Sequence, residues 1–298
     1  MSDSPFATPA ARYDSRWPTA PRWWAALRVG LLIGMGPLLM VAVRSEPQPK
    51  PLEYLTVGLV FGTFFGHALL ASAWTALGPL PLVWRLPLSL GWLVALVAAL
   101  FINISIYGPR TNWEIIVVFA GAVFGQWVIA QIPIWGLAVG YGLRIRHLSE
   151  IGPDLDRKER QFGIRELLIM TAIVAAVLGI GRAVVLRLVS RGDISDFSTE
   201  PVLIISFLVI AGTVMTLPLM LAALLPRHAV PASLLVLLLI ALGTAAELPL
   251  LAALGGPGPG GGPHVGHFYG IHGVQCFWVL AVIGGLRLGG YGLVASQR

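Results

Sequence analysis

Eight apolar runs punctuate the chain: Trp23 to Val43, Tyr54 to Trp74, Pro87 to Tyr107, Ile115 to Tyr141, Leu167 to Leu186, Val202 to Leu225, Ala232 to Ala253 and Tyr269 to Leu286. Each is close to the ~20 residues that carry a helix across ~30 Å of hydrocarbon, so each predicts a membrane span. The first, fifth and eighth are the weakest. Arg28 and Arg182 fall inside runs one and five, where a long side chain can snorkel to the nearer surface, and the last run reaches span length only with Tyr269 and His272 included. The expected fold is therefore an all-α, polytopic transmembrane helix bundle of about eight spans, or seven if the last run stops short.

Composition agrees with the pattern. The 298 residues are 56% hydrophobic and only 11% charged, against roughly 45–50% and ~25% in soluble domains. The mean hydropathy is +0.81. A water-soluble globule is excluded, because this much apolar surface must face lipid as well as a core.

The net charge of +6, from 20 Lys plus Arg against 14 Asp plus Glu, would suggest nucleic acid in a soluble protein. Here the basic residues flank spans, where they set orientation. With the amino terminus inside, 14 of the 20 fall on the cytoplasmic side and six on the other. Both termini are expected in the cytoplasm, and no nucleic-acid partner is. The organisation that follows is a polar cytoplasmic tail over 1–22, a four-span half over 23–141, a charged cytoplasmic loop over 142–166, and a second four-span half over 167–298. Residues 255–263, all Gly and Pro, form an outer loop that can hold neither helix nor strand.

At residues 161–182 the chain reads QFGIRELLIMTAIVAAVLGIGR. This resembles a segment, often QFSIRDLLLLT followed by an alanine-valine run, of uncharacterised multi-pass membrane proteins from planctomycete-type bacteria. The resemblance covers about 22 of the 298 residues and departs from the pattern at Gly163 and Glu166, where Ser and Asp are usual. It implies a protein of a bacterial inner membrane and transfers no catalytic residue. Arg165 would anchor at the cytoplasmic surface and Leu167 onward would enter lipid.

Chemistry is sparse. The sequence contains no HExxH, GxSxG, GxxxxGK[ST] or CxxC pattern, and its one cysteine, Cys276, can form no intrachain disulfide. No catalytic residue and no cofactor are expected. Glu247 is the one carboxylate well inside a run; a charged carboxylate there costs on the order of 2–3 kcal/mol or more, so it should be protonated or paired. Two roles are open to it: a proton or cation site, or a polar tie to a neighbouring helix.

A polar residue stands two positions before proline in three spans: Gln131 before Pro133, Thr216 before Pro218 and Glu247 before Pro249. Each proline leaves the carbonyl four residues back, that of Ile129, Val214 or Ala245, without its helix partner. Interrupted helices of this kind line transporter sites, which makes Gln131, Thr216, Glu247 and the mid-span His67 candidate transport or proton-site residues. His264, His267 and His272 cluster around the start of the last run and could join Glu247 as a weak candidate zinc site. Small residues four apart, at Gly30 and Gly34, Gly58, Gly62 and Gly66, Gly121 and Gly125, Gly136 and Gly140, and Gly285 and Gly289, let helices approach closely. They would serve packing within the chain, a homo-oligomer, or contact with other membrane proteins. The expectation is a non-enzymatic structural or assembly component, with a small-solute or ion transporter as the alternative.

Overall fold

The computed structural model describes residues 50–107, 113–141, 143–147, 199–224, 229–254 and 264–295. Among these residues six helices carry the fold: α1 (Lys50–Leu77), α2 (Leu82–Tyr107), α3 (Trp113–Tyr141), α4 (Thr199–Leu224), α5 (Ala229–Ala253) and α6 (Val265–Leu288). All six are long and apolar enough to cross a membrane. In hydrocarbon a backbone must satisfy its own polar groups, and among open structures only a helix does so. The runs predicted at Trp23 to Val43 and Leu167 to Leu186 lie outside the described residues, as do the tail, the loop from 148 to 166, the segment resembling planctomycete proteins, Gly30 with Gly34, and the Gly/Pro loop.

Each helix begins two to five residues before the run that predicted it. Hydropathy marks the hydrocarbon-crossing part, whereas helical hydrogen bonding continues into the interface. Pro87, expected to open a span, sits inside α2, because Pro81 supplies the first turn: its carbonyl accepts from the amides of Trp84 and Arg85.

The described helices on either side of the predicted charged loop form one bundle. Among the described residues the most extensive contact joins α1 to α6, and α3 also packs on α4. Glycine makes the first of these possible. A Cβ at Gly58 would lie 2.4 Å from the carbonyl carbon of Gly270, and one at Gly62 would lie 2.4 Å from the carbonyl oxygen of Ile271. The two backbones touch, with Phe64, Leu69 and Val279 filling the seam's surroundings as part of the main core. By contrast, a Cβ at Gly121, Gly125, Gly136 or Gly140 on α3 would meet none of the described residues within 4 Å. Among the described residues the glycine spacing therefore divides into a set on α1 closed by α6 and a set on α3 whose Cβ positions are not filled by another described helix.

Two five-residue strands depart from the all-α expectation. Strand β1 (Leu143–His147), within the predicted charged loop, pairs antiparallel with β2 (Tyr291–Ala295), with Ile145 opposite Leu293. Alternation explains them: Leu143, Ile145, Tyr291 and Leu293 pack on the main core, and a period of two places such residues on one face of a strand. Gly290, at φ 81°, makes the turn out of α6 into β2.

The carboxyl ends of α1, α3, α4 and α6 meet at this sheet's end of the bundle. Arg144, just past α3, donates to the carbonyl of Ala76 at 2.8 Å, and Arg287, at the end of α6, donates to that of Ala223 at 3.0 Å. Each arginine satisfies an orphan carbonyl of a helix's last turn and places positive charge at the negative end of its dipole.

Candidate functional site

Glu247 is fully enclosed. It lies on the inner face of α5, and its Oε1 is 2.7 Å from Nε2 of His272 on α6, with both side chains 2% exposed. One proton lies between the two atoms: either Nε2–H donates to the carboxylate or the carboxyl O–H donates to the nitrogen, and moving it leaves the pair's total charge unchanged. The contact joins α5 to α6, and a buried, paired carboxyl fits both roles open to this residue.

One turn along α6, Gln275 continues the polar strip. Its Nε2 donates to Oγ1 of Thr216 on α4 at 3.1 Å, and Thr216 donates in turn to the carbonyl of Gly212 in its own helix. Gly212 makes room for this: a Cβ there would stand 3.1 Å from Oε1 of Gln275 and 3.6 Å from Cε1 of His272. The site is thus a polar seam where α4, α5 and α6 meet. Thr213 and Thr244 face inward nearby and turn their hydroxyls back to Val209 and Ile240, the usual way a threonine is satisfied within an apolar helix. Three atoms of the seam, Glu247 Oε2, His272 Nδ1 and Gln275 Oε1, are buried without a hydrogen-bond partner. Buried groups of this kind are rare enough to need an explanation.

The other predicted residues go elsewhere. Gln131 accepts from Trp135 Nε1 at 3.0 Å, one turn along its own helix. His67, on α1, stands 2.8 Å from the carbonyl of Thr63 through Nδ1 and packs its ring 4.7 Å from that of Trp278 on α6. Trp278 itself donates to Thr63 Oγ1 at 3.0 Å, so this cluster joins α1 to α6.

Of the three polar residues that precede a proline, Thr216 and Glu247 share the seam and Gln131 does not. Residues two apart lie on opposite sides of a helix; Gln131, Thr216 and Glu247 are buried, while Ile129, Val214 and Ala245, whose carbonyls the prolines release, are exposed. Pro133, Pro218 and Pro249 are exposed as well. The interrupted backbone faces outward and the polar side chains inward.

Nor do the three histidines converge. His264 stands at the exposed start of α6, where its backbone amide donates to Nδ1 of His267 at 3.0 Å, and both rings pack near Tyr54. His272 lies two turns deeper, against Glu247. Among the described residues no group of three or more His, Cys, Asp or Glu is placed to hold a metal ion.

Gln275 was not singled out by sequence, although a glutamine three residues from a histidine in an apolar run is a readable signal. Gln126 on α3 was missed too: it is fully buried, with neither amide atom partnered. The chain matches no protein-family model, no curated protein and no solved structure.

Proposed function

We propose that this integral membrane protein is a non-enzymatic structural or assembly component of a bacterial cytoplasmic membrane, in which Glu247 ties α5 to α6. The observation that carries the reading is the 2.7 Å contact between Glu247 and His272. It occupies the carboxyl with a partner on the neighbouring helix, and the open glycine face of α3 supplies a surface on which another membrane helix can pack.

The topology follows the same line. Arg85, Arg144, Arg146 and Arg287 all belong to the β-sheet end of the bundle, which supports placing that end in the cytoplasm. That α3 and α4 both run toward it supports a return crossing between them, for which Leu167 to Leu186 is the apolar run in the sequence. Counting Trp23 to Val43 as well gives eight spans with both termini inside.

Transport of a proton, cation or small solute is the second reading. It is favoured by Glu247 Oε2 and Gln275 Oε1, two buried oxygens with no hydrogen-bond partner. Glu247→Gln separates the two. A structural tie tolerates the amide, so expression, thermal stability and proteoliposome ion permeability stay as in the wild type. Proton or cation flux that is present in the wild type and lost in Glu247→Gln at equal expression would overturn the structural reading.

A further inference from the structure

The face of α3 that no described helix covers has a regular composition. Gly125, Ile129, Ile132, Gly136 and Gly140 follow one another at intervals of four, three, four and four residues, an alternation that holds side chains along one seam of a helix. A Cβ at any of the three glycines would meet none of the described residues within 4 Å, and Ile132 is 70% exposed. The stripe rises about 22 Å along the helix, most of the ~30 Å of hydrocarbon. On α1 the spacing of Gly58 and Gly62 seats a second backbone, that of α6. On α3 two isoleucines stand as knobs between low glycine positions, and they fit a helix whose small residues lie opposite them.

The path of the chain indicates which helix that is. Ala122, three residues before Gly125, shares a buried cluster with Phe207 and Leu208 of α4, so the stripe borders α4. Residues 148–198 connect β1 to the start of α4, and Leu167 to Leu186 is the apolar run among them. Consecutive elements are usually neighbours in space. The twelve residues from 187 to 198 reach up to ~40 Å, ample for the run to lie beside both α3 and α4.

The run carries the complementary pattern. Ala172, Ala176, Gly179 and Ala183 are spaced four, three and four residues apart, the same intervals as Gly125, Ile129, Ile132 and Gly136. With the two helices antiparallel and Gly125 opposite Ala183, Ile129 falls opposite Gly179, Ile132 opposite Ala176 and Gly136 opposite Ala172. Each isoleucine meets a small residue. Gly121 falls opposite position 187, past the end of the run, and stays out of the contact. Trp23 to Val43, the other apolar run outside the described residues, has no small residues at this set of intervals.

We propose that the glycine face of α3 is the docking site of this chain's own segment Leu167 to Leu186, packed antiparallel in that register. The inference rests on the topology given above, in which this run crosses between α3 and α4.

The test uses the full chain in membrane vesicles, with Cys276→Ala removing the one native cysteine and a specific protease site inserted after Asp156. Oxidation by copper phenanthroline joins two cysteines whose Cα atoms come within ~7 Å. After cleavage, a denaturing gel shows either one joined chain or two pieces. Ile129→Cys with Gly179→Cys, and Ile132→Cys with Ala176→Cys, keep every glycine of α3 and should leave most molecules joined until reductant is added. Ile132→Cys with Val185→Cys, nine residues and ~13 Å further along the run, should give two pieces. The crossing itself is read separately, by labelling Ser149→Cys and Asp193→Cys with an impermeant maleimide on intact spheroplasts; only Asp193→Cys should react before lysis. If it does and neither pair joins, the docking is overturned while the topology stands. If both cysteines react from one side, the topology falls and the docking with it. Ile132→Cys alone linking two copies of the chain would give the face to a second copy and overturn the proposal.

Discussion

Replacing Gly58 with Ala tests the seam that joins the two halves. The added methyl would stand 2.4 Å from the carbonyl carbon of Gly270, 2.5 Å from its oxygen and 2.7 Å from its Cα, where ordinary contact begins at 3.4 Å. All three atoms are backbone, so no rotamer change relieves the clash. The helices must separate by about 1 Å, the gap between those distances, and a gap of ~0.5–1 Å already forfeits a quarter to a half of the dispersion between facing atoms. Overpacking of this kind costs about 1–3 kcal/mol. The control is Gly121→Ala on α3, where the same methyl meets none of the described residues and alanine's helix preference contributes a gain of at most ~1 kcal/mol. Reversible unfolding in mixed micelles with increasing dodecyl sulfate, followed by far-ultraviolet circular dichroism, reads both. Gly58→Ala should unfold at a lower detergent fraction than wild type and Gly121→Ala at the same fraction or a higher one. If the two variants unfold together, the backbones of α1 and α6 do not touch as described.

Other perturbations probe single contacts. His272→Ala leaves Glu247 buried without its partner and should cost about 1–3 kcal/mol in the same titration, most of it recovered when Glu247→Leu is added. Trp278→Phe removes the indole donor to Thr63 and should cost about 1 kcal/mol while leaving helix content intact by circular dichroism. Ile145→Ala empties a buried position of β1 and should lower stability by about 2–4 kcal/mol; a neutral result would mean that the sheet is not anchored on the bundle. Arg287→Leu takes the donor from the last turn of α4, and a shift of about 0.5–1.5 kcal/mol is expected.

The described spans were readable because hydrocarbon imposes one dominant requirement, length in apolar residues, and Tyr54 to Trp74 satisfies it as visibly as Ala232 to Ala253. The strands were not readable. LRIRH and YGLVA are short, and their pairing depends on two helix ends lying side by side, which hydropathy does not encode. Glu247 stood out as the lone mid-span carboxylate, but its partner did not. Nearby His264 and His267 drew His272 toward a metal reading, whereas helix geometry sends His272 inward and leaves the others at the surface. The proline pattern found Thr216 and Glu247 of the seam but not the direction of the released carbonyls. Adjacency in sequence linked Glu247 to the carbonyl of Ala245, and a turn of ~100° per residue put them on opposite sides.

The strand pair also orders the protein's manufacture. Roughly 140 residues separate His147 from its partner Tyr291, which at synthesis rates of ~5–20 residues per second means about 7–30 s between the emergence of β1 and that of the strand it needs. For that interval β1 is an open edge, competent to pair with whatever strand is near. Its arginines at positions 144 and 146 make it a poor template for aggregation while it waits. Closure of the sheet then records that α6 has been threaded and docked, so β2, translated after α6, acts as a latch on the described helices between the two strands.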